Sequence, residues 1–74
     1  MHTYTIKHNG EIIATLPDQK SDARLFGVMQ SRQSNSIFWA ISYEGWEITR
    51  QDQNTGIIQK AVPVQNHWEF KTIK

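Results

Sequence analysis

Apolar and polar positions alternate with period two on both sides of Glu44-Gly45 in the stretch Ser36 to Gln51, SIFWAISYEGWEITRQ. Such alternation is the signature of a half-buried hairpin. A two-residue loop at Glu44-Gly45 sets Tyr43 opposite Trp46, Ile41 opposite Ile48 and Trp39 opposite Arg50, with Ile37 behind them. A slip of one residue would move Trp46 to the polar side, so the pattern selects that register. The other face then carries Phe38, Ala40, Ser42, Glu47, Thr49 and Gln51, polar apart from Phe38. This hairpin is expected to be the spine of the fold.

Upstream, Thr3 to Leu16 reads as a first hairpin closed at His8-Asn9-Gly10, a type I turn followed by Gly10 in the left-handed region. That loop pairs Lys7 with Glu11, Ile6 with Ile12 and Tyr4 with Ala14. A two-residue Asn9-Gly10 loop would pair Lys7 with Ile12, which matches less well. Pro17 ends the second strand, and Asp18, Ser21 and Asp22 offer oxygen acceptors at a helix start. The helix is predicted from about Ser21 to Gln33. Leu25, Val28, Met29 and Arg32 recur at helical spacing, and Phe26 widens the stripe. Gly27 is expected to let the helix lie close to the sheet, and Ser31 to Ser36 to turn the chain.

Downstream, Asn54-Thr55-Gly56 leads into a strand from Ile57 to Val64. A bulge at Gly56 places Ile58 near Asp52, Val62 opposite Ile48 and Val64 opposite Trp46, which also sets Lys60 against Arg50. Pro63 lacks an amide hydrogen, so this strand should lie at an edge or break near its end. Trp68, Phe70 and Thr72 alternate with His67, Glu69 and Lys71 in a further C-terminal strand. The order ββαβββ plus that strand implies an α+β fold, a mostly antiparallel β-sheet with one helix packed on one face. One compact domain spanning 1–74 is expected.

Composition narrows the chemistry. Seventy-four residues bury a thin core, for which three Trp, three Phe and two Tyr compensate. The absence of cysteine excludes a disulfide scaffold and thiolate metal sites. The opening residues lack the apolar run of a signal peptide, so a cytoplasmic location is expected. A net charge of +1, scattered without runs, argues against a DNA mimic and against strong duplex binding. Seven Gln and four Asn suit a polar surface free of long-range fields.

No residue set supports catalysis. His2, His8 and His67 lack ligand spacing, the serines sit in caps, linkers or a strand, and the glycines are isolated. No metal and no cofactor is expected, and an enzyme is not. Nucleic-acid binding would use aromatics on a sheet interleaved with Arg and Lys. Trp39, Tyr43 and Trp46, however, share their predicted face with Ile37, Ile41 and Ile48, which the core needs.

The remaining class is a small protein-binding module. Phe38, Trp68 and Phe26 are expected as apolar anchors, Arg50 is left available for binding, and Arg24, Gln30, Arg32 and Gln33 form a rim on the outer helix face. Stoichiometric binding to a larger protein or ribonucleoprotein partner is therefore expected, with occlusion as the mechanism. Phage or mobile-element inhibitors of bacterial defence complexes have this profile. A single-stranded nucleic-acid-binding module is the alternative. Open sheet edges further predict a homodimer.

Overall fold

The computed structural model describes residues 1–31 and 36–73, with the side chains of 30 and 31 outside that description. Its elements are β1 (His2–His8), β2 (Glu11–Gln19), α1 (Ala23–Ser31), α2 (Ile37–Tyr43), β3 (Trp46–Asp52), β4 (Ile58–Val64) and β5 (His67–Thr72). The strands form one antiparallel sheet in the order β2-β1-β3-β4-β5. The α+β class and the C-terminal strand stand. The expected order ββαβββ does not, because Ile37–Tyr43 is a second helix and the helical layer has two members.

Local chemistry explains the change. Ser36 is extended, with φ −157° and ψ 157°, and its Oγ accepts the Trp39 amide at 3.1 Å, an N-cap. Glu44 N–H closes the last turn on the Ala40 carbonyl. Gly45 then takes φ +78°, the left-handed conformation that ends many helices. Ile37, Ala40 and Ile41 form a helical stripe, with Ile37 and Ala40 buried and Ile41 packed against the core.

The core lies on one face of the sheet. Tyr4 and Ile6 of β1, Leu16 of β2, Trp46 and Ile48 of β3 and Ala61 of β4 pack against Leu25 and Met29 of α1 and Ile37 and Ala40 of α2. Both helices therefore cover the same face. The other face carries Thr3, Thr5, Lys7, Glu47, Thr49, Lys60, Val62, Glu69 and Lys71, as the period-two alternation requires.

Register differs from expectation at both hairpins. Asn9 and Gly10 have φ +51° and +86°, and His8 pairs with Glu11 and Lys7 with Ile12. This is the two-residue loop, whose two left-handed residues match the strand twist. A shift between Ile6 and Lys7 restores Ile6 to Ala14 and Tyr4 to Leu16, so the apolar face survives. Strand β2 also runs through Pro17, which an edge strand tolerates.

At the β3–β4 turn, Asp52 accepts the amides of Asn54 and Thr55 on Oδ1 at 2.8 and 2.9 Å, and its own amide donates to the Ile57 carbonyl. Those two amide bonds hold the Asp52 carboxyl below its ordinary pKa. The closure pairs Arg50 with Gln59 and Thr49 with Lys60. Ala61, not Val62, then enters the core, and the predicted opposition of Lys60 and Arg50 is absent.

The β3–β4 ladder covers only Thr49–Lys60, Arg50–Gln59 and Gln51–Ile58. Strand β4 is interior, so Pro63 is not on an edge. Its missing amide falls on the β3 side, however, where the ladder has already stopped. Between the parted strands and the end of α2 lies a groove of about 290 Å³ lined by Ile41, Trp46, Glu47, Lys60, Ala61 and Pro63, among others.

Candidate functional site

Helix α2 turns an aromatic pair outward. Trp39 and Tyr43 stand one helical turn apart, where side chains are neighbours. Their ring centroids are 4.6 Å apart with planes tilted by 50°. Trp39 is 48% exposed and Tyr43 68%, whereas Ile37 and Ala40 on the opposite side of the helix are buried. A strand would have placed these rings with Ile37 and Ile41 in the core. The helix separates them, and they become the surface ridge of the molecule.

The ridge rests on a braced base. Asn9 N–H donates to the Gly45 carbonyl at 2.9 Å, tying the β1–β2 turn to the end of α2. His8 stacks on Trp46 with centroids 4.4 Å apart and planes 15° from parallel. Its Nε2 lies 2.9 Å from the Glu44 carbonyl, to which it donates. These contacts fix the exit of α2.

A second cluster surrounds Arg50. Its Nε donates to Gln59 Oε1 at 2.8 Å and its Nη1 to Tyr4 Oη at 3.3 Å, and Nη1 lies 3.5 Å from Asp22 Oδ1. Tyr4 Oη donates to Asp22 Oδ1. The guanidinium sits 4.0 Å above the Phe70 ring centroid, and Phe70 meets Tyr4 edge-on. Burial, followed by the bond to Asp22, raises the Tyr4 phenol pKa, with Arg50 opposing. Asp22 reaches this cluster from the residue before α1, while Ser21 Oγ accepts the Ala23 amide at 3.4 Å. The cluster joins the sheet to the residue before α1.

The residues expected to bind are spread out. Phe38 is half-buried on α2, and Trp68 is half-buried on β5, edge-on to Phe70. Arg50 is engaged in the cluster just described. Arg24 is exposed on α1, as is Phe26, which lies outside the core stripe at 51% exposure. Arg32, Gln33 and the side chain of Gln30 lie outside the described residues. Among the described positions, Arg50 and Trp68 both lie against Phe70, whereas Phe38 and Arg24 stand on the two helices.

Trp39 and Tyr43 are the residues that sequence reasoning assigned elsewhere. The signal that locates them is the serine three residues before Trp39, a cap for its amide, followed by aromatic spacing of four. Among the described residues no three His, Cys, Asp or Glu side chains converge as metal ligands, and no helix is long and apolar enough to cross a membrane. The chain matches no protein-family model, no curated protein and no solved structure.

Proposed function

We propose that this chain is a non-enzymatic binding protein that contacts a larger protein or ribonucleoprotein stoichiometrically through α2. The observation that carries this reading is the exposed Trp39–Tyr43 pair. Trp and Tyr concentrate binding energy at protein interfaces, because each covers a large area with few rotatable bonds. Gln and Asn elsewhere leave a surface that adds hydrogen bonding without a long-range field. In this reading the protein acts by covering a functional surface of its target, and an inhibitor of a bacterial defence complex, carried by a phage or mobile element, is its specific form.

Single-stranded nucleic acid is the second reading, since the same rings could stack on bases. Its sheet platform draws little support from the geometry: Trp46 is buried, Phe70 lies under Arg50, and the open face carries Thr, Lys, Glu and Val.

The two readings separate by affinity capture from a bacterial lysate, with Trp39→Ala/Tyr43→Ala as the control and circular dichroism as the check on folding. One partner retained at a fixed ratio by the wild type and lost by the double variant supports the protein-binding reading. Retention by both proteins defeats the assignment to α2. Failure to retain a partner, together with binding of labelled single strands at physiological salt, replaces the lead reading with the second.

A further inference from the structure

The two edges of the sheet differ. On β2, Pro17, Asp18 at φ +58° and two register shifts interrupt the outer ladder. These devices prevent edge pairing. Strand β5 has none of them. It runs His67–Thr72 without proline or a left-handed residue, paired to β4 on one side only.

The polarity of this edge follows from one bond. Ile73 N–H donates to the Ile58 carbonyl, so residue 73 directs its backbone groups at β4. Alternation then directs Lys71 and Glu69 at β4, and Trp68, Phe70 and Thr72 at the free edge. On the open face of the sheet, Lys71 stands directly opposite Lys60 of β4. Like charges in that position are destabilising. Neither lysine, nor the exposed Glu69, has a described ion-pair partner.

We propose that β5 pairs antiparallel with β5 of a second copy of this chain, making one continuous sheet across a two-fold axis at Phe70. Two-fold pairing of the outward amides allows three registers close to full overlap. Centring on Glu69 opposes two glutamates, and centring on Lys71 opposes two lysines. Centring on Phe70 sets Glu69 of each copy against Lys71 of the other, twice by symmetry. In that register Phe70 meets its own copy and Trp68 meets Thr72 through the free backbone groups. Each Glu69 also stands on the face that carries Lys60 and Lys71. Both helical layers fall on one side of the joined sheet, away from the charged pairs. This contact is separate from the α2 ridge.

Sedimentation equilibrium at concentrations up to millimolar tests the pairing. The wild type should approach twice the 8.6 kDa chain mass. Glu69→Lys and Lys71→Glu should each weaken association about tenfold or more, since each creates two like-charge oppositions. Mixing these two variants should restore a dimer, because every cross-strand pair in the mixed species is complementary. The double variant Glu69→Lys/Lys71→Glu should also dimerise. A monomeric wild type at millimolar concentration overturns the proposal. So do single variants that associate like the wild type, or a mixture that stays monomeric while circular dichroism shows both chains folded.

Discussion

The guanidinium of Arg50 lies over the ring of Phe70, 4.0 Å from its centroid, and this contact joins the middle of the sheet to its last strand. Between them stands β4, whose Gln59 accepts from Arg50 Nε. Arg50 thus couples β1 through Tyr4, β4 through Gln59, β5 through Phe70 and the entry to α1 through Asp22. Substituting Arg50→Ala should lower unfolding free energy by about 2 kcal/mol, combining a cation–π contact with charge-assisted hydrogen bonds. Arg50→Lys should recover less than half, since an ammonium cannot donate to Gln59 and Tyr4 while lying flat on a ring. Urea denaturation monitored by tryptophan fluorescence measures both. Equal stability of the lysine variant and the wild type would refute the role of the fork.

The Tyr4 phenol makes stability depend on alkali. Its folded pKa is raised, chiefly by burial and then by the bond to Asp22. The folded state therefore disfavours the phenolate, whereas the unfolded phenol ionises near about 10. The contribution is fully present below the unfolded value and is lost as pH rises through the folded one. Tyr4→Phe removes that dependence. The stability difference between wild type and variant should be constant through neutral pH and move against the wild type above the unfolded value. A difference that stays flat into alkali would show that burial leaves the phenol unperturbed.

Much of the framework was legible. The first hairpin, the stripe of Leu25 and Met29 in α1, and strands β3, β4 and β5 follow from periodicity and turn residues. The segment Ile37–Tyr43 was not, because it satisfies both periods: 37, 39, 41 and 43 make a strand face, while 37, 40, 41 and 44 make a helix face. Seven residues are too few for periodicity to choose. Gly45 was equally ambiguous, serving a tight turn or a helix end with the same positive φ. The error carried over to the site, since a strand buries Trp39 and Tyr43 and a helix exposes them. The Arg50 cluster was out of reach for another reason. Asp22 and Gln59 meet Arg50 only through tertiary packing, and no local pattern marks them.

The capping serine gives a direct measure of what α2 is. Ser36→Ala should cost about 1 kcal/mol by leaving the Trp39 amide without its acceptor. Ser36→Asp should restore most of that loss, because a carboxylate accepts the same amide and favours the helix start. At the first residue of a strand neither change would matter beyond a few tenths. Amide hydrogen exchange at Trp39 reads the same contact site by site, and should accelerate in the alanine variant alone.

Gly45 carries two separable constraints. Its φ of +78° disfavours any side chain, and a methyl group there would overlap Asn9 Oδ1. The first is a property of Gly45 itself, at about 1–2 kcal/mol. The second depends on the neighbouring turn. Asn9 Oδ1 ends an exposed side chain that can turn aside, so Gly45→Ala should destabilise by the backbone cost with only a small addition. In an Asn9→Gly background, where the amide side chain is gone and φ +51° remains accessible, the same substitution should fall back to the backbone cost. The difference is the coupling energy of a double-mutant cycle and measures what turning the Asn9 side chain aside costs. A coupling near zero would mean that the Asn9 side chain turns aside freely, while the backbone bond from Asn9 N–H to the Gly45 carbonyl still ties the turn to the end of α2.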